Sequence, residues 1–193
     1  MLPLILMCSF LLIIVFGRIF TQYLKTGDFG VRAASLNAPI IEILPGTVFI
    51  LTFCFAFILV IMGYFGSIKM TIYLSLYIET FGFLIGFIGI SVAMVGQIQM
   101  GNSWRIGVNP EEQTELITTG LYAKSRNPIY FGILLFWIGL TISFLHLLLF
   151  ASALVCWFCI ELMVRRIEEP YLIKKHGNAF TDYVENTNRY YLL

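Results

Sequence analysis

Charge is what this chain has least of. Only 12% of its 193 residues are Asp, Glu, Lys or Arg, roughly half the ~25% of a soluble domain. Set beside 59% hydrophobic residues, that deficit points to an integral membrane protein. A net charge of +1 gives no pull toward polyanions, and no basic cluster with interleaved aromatics stands apart from the membrane flanks. Nucleic acid is therefore not an expected partner. Histidine is scarce as well, and His146 has no ligating neighbour, so no metal is expected. The four cysteines, Cys8, Cys54, Cys156 and Cys159, all lie inside apolar runs. Cys156 and Cys159 have the Cys-x-x-Cys spacing, but within a membrane helix they read as small hydrophobic residues. No basic segment precedes the first apolar run and no small-residue cleavage site follows it. It reads as a retained helix, not a signal peptide.

What the chain has is long apolar runs. Pro3 to Phe20 can cross a ~30 Å hydrocarbon core. A mixed loop from Thr21 to Glu42 carries Lys25, Asp28 and Arg32. A second span runs from Ile43 to Gly66, opened by Leu44-Pro45-Gly46, and a third from about Ile72 to Ile98. The third holds Glu79 near one end, where the carboxylate can reach water. It also holds Gly82 and Gly86, whose four-residue spacing suits close helix packing. Residues 129–164 would make about 54 Å of helix, too long for one span. They should fold back near Thr141 to His146 into two spans, roughly 129–145 and 147–164. The expected architecture is an all-α membrane bundle of about five spans in a single domain. Residues 1–98 form three spans, 99–128 a cytoplasmic loop, 129–164 a hairpin, and 165–193 a tail with a cytoplasmic helix.

The few charges then fix an orientation. Of 12 Lys and Arg, Lys69 alone falls on one side in a five-span arrangement. The other eleven flank the first loop, the long loop and the tail. That asymmetry predicts a cytoplasmic loop and tail, with the N-terminus on the opposite side.

Two polar stretches border the hairpin on that side. The first is Gly120-Leu-Tyr-Ala-Lys-Ser-Arg-Asn-Pro-Ile-Tyr-Phe-Gly132. Pro128 biases Asn127 away from helix, so a helix should start at Pro128 or Ile129, with Arg126, Asn127 and Tyr130 at the membrane boundary. A helix N-terminus there suits an anionic group. The second stretch is Arg165-Arg166-Ile167-Glu168-Glu169-Pro170, expected to continue as helix to a stop at Gly177. Asn178 to Glu185 should add a short amphipathic helix with Phe180 and Tyr183 on one face. By themselves these are a loop-to-helix junction and a charge network ending a span. Their spans form a hairpin, however, and must be neighbours.

Gly-Leu-Tyr, then Arg-x-Pro-x-Tyr, then a membrane hairpin, then Glu-Glu and an aliphatic pair before Gly177 resembles the isoprenylcysteine carboxyl methyltransferase family. That family is related to the membrane phospholipid N-methyltransferases. The resemblance covers about Asn102 to Arg189. It implies a membrane enzyme using S-adenosylmethionine from the cytosol on a lipophilic small molecule or lipid, with the cofactor between junction and tail. By the same resemblance Tyr122, Pro128 and Tyr130 line the cofactor, and the backbone of Leu116 and Ile117 binds it. Glu168 is the cofactor carboxylate and Glu169 its neighbour. Arg126 or a helix N-terminus suits the cofactor carboxylate, and acidic or aromatic groups suit its two cations.

Two positions depart from the family pattern. Asn127 stands where the family has His; it can hydrogen-bond the cofactor but cannot titrate. Val164 stands where prenylcysteine-type enzymes place a substrate-orienting Arg. Arg165 and Arg166, one and two residues later, are the candidate catalytic residues, but a rotation of about 100° per residue turns Arg165 elsewhere unless the helix unwinds. This weakens a prenylcysteine carboxylate as acceptor more than it weakens methyl transfer. Two further readings stand beside it. One is an NADPH-dependent reductase of the sterol reductase kind, which needs no Gly-x-Gly-x-x-Gly loop; the other is a non-catalytic membrane subunit.

Overall fold

Glycine decides which helices touch. A computed structural model describes residues 1–30, 40–68, 75–104 and 115–190. Within it α1 spans Leu2–Thr26, α2 Ile40–Tyr64, α3 Leu76–Met100, α4 Pro128–Ser143, α5 Leu147–His176 and α6 Asn178–Asn186. Helices α3 and α4 pack antiparallel along nearly all of α4. A side-chain carbon added to Gly139 would come within 2.2 Å of the Gly86 nitrogen, and one added to Gly132 within 2.6 Å of backbone atoms of Gly89 and Ala93. Gly82 faces Ser143 and Gly139 in the same way, so the predicted packing seam forms. In lipid such a seam gains stability from close van der Waals contact, since apolar surface has no water to escape.

Four of these helices are long and apolar enough to cross a membrane: Leu2–Thr26, Ile43–Tyr64, Leu76–Met100 and Leu147–His176. The fourth span expected from sequence, α4, is a shorter apolar helix of 16 residues. The hairpin turns where it should. Helix α4 ends at Ser143, and His146 precedes α5 with its Nδ1 accepting from the Leu148 amide at 3.3 Å.

The first boundary differs from expectation. Instead of a loop from Thr21, helix continues to Thr26 and closes on Gly27, whose φ of 72° satisfies the left-handed cap. The helix hydrogen-bond ladder is self-contained, so it outlasts the apolar run that marks it in sequence. Arg32, Lys69 and Arg105 lie outside the described residues, as does the start expected for the third span; α3 begins at Leu76 after Ser75.

Aromatic rings lock α1, α2 and α4 together. Phe10 lies 4.3 Å from Phe136 and 5.2 Å from Phe53, and Trp137 meets Phe53 edge-on at 6.0 Å. Helix α5 packs on α2 and contributes Cys156, Ile160 and Val164, all fully buried, to the same core. This arrangement gathers the ends of α1, α3 and α5 and the start of α4 at one end of the bundle. There Arg18 of α1 donates to the Gly101 carbonyl after α3, and its guanidinium sits 4.9 Å from the Trp104 ring centre. Gln99 of α3 accepts from the Leu121 amide at 2.9 Å.

Candidate active site

The junction before α4 is held from three sides. A single 3-10 turn, Gly120–Ala123, starts at a glycine with φ of 64°. It buries Tyr122, whose hydroxyl lies 3.4 Å from the Gly96 carbonyl of α3. Helix α4 then begins at Pro128, as its ring and the non-helical Asn127 require. From the third side comes the tail. Beyond α6, Asn188 pairs with Ser125 as a short parallel bridge. The amides of Arg126 and Asn127 donate to the carbonyls of Asn188 and Arg189 at 2.8 and 3.1 Å, and the Asn127 side chain donates to Arg189 O at 3.2 Å.

Side chains complete the clamp. Arg126 Nη1 donates to the carbonyls of Val184 and Thr187 at 2.8 and 2.7 Å, and its Nη2 to Glu169 at 3.2 Å. Arg189 grips both oxygens of the same Glu169 at 2.9 and 2.8 Å. That two-point contact holds the Arg189 guanidinium above even its usual high pKa. Tyr183 donates its hydroxyl to the Tyr122 carbonyl, tying α6 to the 3-10 turn. Burial, against the pull of Arg126, pushes that hydroxyl up to about 12. Burial first, then the charges of Tyr183 and Glu168, also raise Tyr122 well above the ordinary phenol range.

One pair points between these clamps. Tyr130, on the first turn of α4, donates to Oε1 of Glu168 on α5. Glu168 closes a π-helical turn, Val164–Glu168, in which the helix widens by one residue. The local unwinding that could redirect Arg165 is thus present, yet it does not bring Arg165 inward. Val164 is fully buried, while Arg165 is 57% exposed and pairs with Glu161 four residues back. Arg166 is exposed too.

Of the residues singled out by sequence, Tyr122, Arg126, Asn127, Pro128, Tyr130, Glu168 and Glu169 gather where junction meets tail. Leu116 and Ile117 lie half-buried on the irregular segment leading into it. Arg165 and Arg166 stand apart, on the outer side of α5. Sequence reasoning missed Arg189 as the second partner of Glu169. The one available signal was that Arg189 is the one cation beyond the last stretch expected to be helical, in the same tail as a carboxylate pair.

A family model matches over the same region. Residues 77–179 fit the model described as phospholipid methyltransferase, which is more than half of the chain. The chain belongs to the phospholipid methyltransferase family. The matched segment runs from α3 through the glycine seam, the junction and the hairpin, and takes in Arg126, Tyr130, Glu168 and Glu169. It starts well upstream of the resemblance seen in the motifs and ends before Tyr183 and Arg189. No curated protein matches the chain. Among solved structures, the fold is similar to that of a eukaryotic intramembrane Ras methyltransferase, isoprenylcysteine carboxyl methyltransferase. The TM-score is 0.60 at 21% identity, over 90% of this chain. The chain spans 59% of the length of that protein. For this member of the phospholipid methyltransferase family, the glycine seam and hairpin therefore belong to a fold seen before, while the tail side of the clamp, from Tyr183 to Arg189, lies beyond the family match.

Proposed function

We propose that this protein is an S-adenosylmethionine-dependent methyltransferase acting at the membrane on a lipophilic acceptor. The observation that carries the reading is the Tyr130–Glu168 pair, set inside the family-matched segment and fenced by the Arg126–Glu169–Arg189 clamp.

The donor set fits such a cofactor. Its ammonium and sulfonium cations suit the Glu168 carboxylate and the rings of Tyr122 and Tyr130. Its carboxylate suits Arg126, whose Nε is buried without a hydrogen-bond partner among the described residues. Asn127 and the Leu116–Ile117 backbone add neutral donors and acceptors. When bound, the cofactor supplies a methyl group on a positively charged sulfur. In this reading Glu168 orients the cofactor, Tyr130 fixes the rotamer of Glu168, and Glu169 holds Arg126 and Arg189 so that the tail covers the site and limits water. Methyl transfer from sulfonium needs little acid–base help, so orientation and dehydration supply much of the rate. That agrees with Asn, which cannot titrate, at position 127.

The positive-inside asymmetry of the sequence supports a site on the cytosolic face, with the N-terminus opposite. A buried Val164 leaves no arginine at the place where a prenylcysteine carboxylate would be clamped, which favours another acceptor. Arg165 and Arg166, on the outer side of α5, meet lipid before they meet cofactor.

The test is transfer of labelled methyl from S-adenosylmethionine to extracted lipids, small thiols and a prenylcysteine analogue by the purified protein. Label should enter the lipid or thiol fraction and exceed that in the analogue. Absence of label in every fraction would refute the reading.

A further inference from the structure

Helix α5 carries a second feature with no part in that site. Cys156, Ile160 and Val164 form its fully buried stripe, and the residues one and two positions on form another surface. Trp157, Phe158, Glu161, Leu162, Arg165 and Arg166 line a groove of about 380 Å³ there. Its lower part is aromatic and open to the bilayer, with Trp157 50% and Phe158 57% exposed. Its upper rim carries both arginines, at the level where the apolar run ends.

We infer that this groove seats a membrane phospholipid with an anionic headgroup. The phosphate lies between Arg165 and Arg166, and an acyl chain runs along Trp157, Phe158 and Leu162. Three observations converge on it. The rim has two guanidiniums against one carboxylate, Glu161, which also faces the Glu169-paired Arg189 of the tail, so the rim keeps one uncompensated positive charge. A choline or ethanolamine cation would stand beside that charge, whereas an uncharged glycerol headgroup would not. Glu161 pairs with Arg165 through Nε, which orders the guanidinium fork, and arginine forks suit phosphate oxygens. Finally, the apolar wall continues directly below the rim, as one lipid molecule requires. This inference does not rest on methyl transfer, and its test needs no cofactor.

Tryptophan supplies the readout. Of the three in the chain, Trp104 and Trp137 are 5% and 1% exposed, and Trp157 alone faces the bilayer. The full chain is reconstituted in phosphatidylcholine vesicles containing graded dibrominated phosphatidylglycerol, and in the reverse pairing, and quenching is converted to a preference ratio. One uncompensated arginine near the surface predicts about a fivefold preference for the anionic lipid. The Arg165→Gln/Arg166→Gln double variant, which leaves Glu161 without its partner on the rim, should bring the ratio to one or below. Glu161→Gln, which adds a free positive charge, should raise it above the unmodified value. Trp157→Phe should remove most of the quenching. Four results would each overturn the inference: a ratio near one in the unmodified protein, a preference retained by the double variant, a ratio unmoved by Glu161→Gln, or quenching that survives Trp157→Phe.

Discussion

Two arginine–glutamate clusters lie within nine residues of each other on α5, and they behave as opposites. Glu169 is held by Arg126 and Arg189, which arrive from segments 43 and 20 residues away in the chain. The Arg126 side chain is 9% exposed and that of Glu169 16%. Glu161, whose side chain is 17% exposed, is held by Arg165, one helical turn away and 57% exposed, so the two clusters differ in the exposure of the arginine and not of the glutamate. The first cluster joins three separate parts of the fold; the second is an ion pair within one helix, with Glu161 also facing Tyr190 and Arg189 of the tail. An exposed i,i+4 pair contributes only about 0.3–0.5 kcal/mol, whereas losing one partner of a buried pair costs about 3–5 kcal/mol. The residue types are alike, so the difference lies in what each pair encloses. The inner cluster holds the tail against the junction beside the Tyr130–Glu168 pair, and in the outer one the Arg165 guanidinium stays exposed.

The boundary between the two is Val164, and it offers the sharpest way to break the comparison. Val164→Arg would force a guanidinium into the core beside Ile160 and Cys156. The expected result is severe destabilisation, roughly 4–5 kcal/mol or more, seen as loss of monodisperse protein in detergent. An Arg tolerated there would mean that the inner face of α5 is open, and the assignment of faces would fail.

Next in size is the contrast between the glutamates. Glu169→Ala strips the buried Arg126 and the tail's Arg189 of their shared partner and should cost about 3 kcal/mol or more. Glu161→Ala should cost under about 1 kcal/mol. Melting temperatures in one detergent provide the comparison, and equal shifts would erase the distinction drawn here.

The smallest effect concerns the tail alone. Tyr183 has its pKa raised by burial to about 12 from 10. A phenol raised on folding contributes fully below pH 10 and loses its contribution as pH climbs toward 12. Tyr183→Phe should lower stability by about 1 kcal/mol at neutral pH, and the gap between the two proteins should narrow above pH 10. A gap independent of pH would show that the hydroxyl is not what ties α6 to Tyr122.

The inner and outer clusters also differ in how far sequence could reveal them. Local signals were readable: the start of α4 at Pro128, the fold-back at His146, the stop at Gly177 with φ of 55° and the glycine seam all follow from neighbours a few residues apart. The pairing of Glu161 with Arg165 is of the same kind, an i,i+4 relation on one helix. Arg189 with Glu169, and Arg126 with the Val184 and Thr187 carbonyls, have no period to betray them. Such contacts are set by where the tail lands once the hairpin has folded. The helix running on to Thr26 was hidden for another reason, because hydropathy marks where a span leaves the bilayer and says little about where its backbone ladder ends. The motifs placed Glu168 and Tyr130 at the same membrane boundary; only the packing of α4 on α3 and α5 on α2 puts them in contact.

The central claim is that the inner face of α5, through Glu168, holds S-adenosylmethionine. Equilibrium binding to the purified protein in lipid nanodiscs tests it, with NADPH as the competing ligand and two variants for comparison. The account predicts saturable binding of S-adenosylmethionine and none of NADPH. It also predicts a loss of roughly tenfold or more in Glu168→Gln, since a hydrogen bond to a charged group contributes about 1.5–3 kcal/mol, and little change in Glu161→Gln. Saturable NADPH binding without S-adenosylmethionine binding, or equal small losses in both variants, would contradict it.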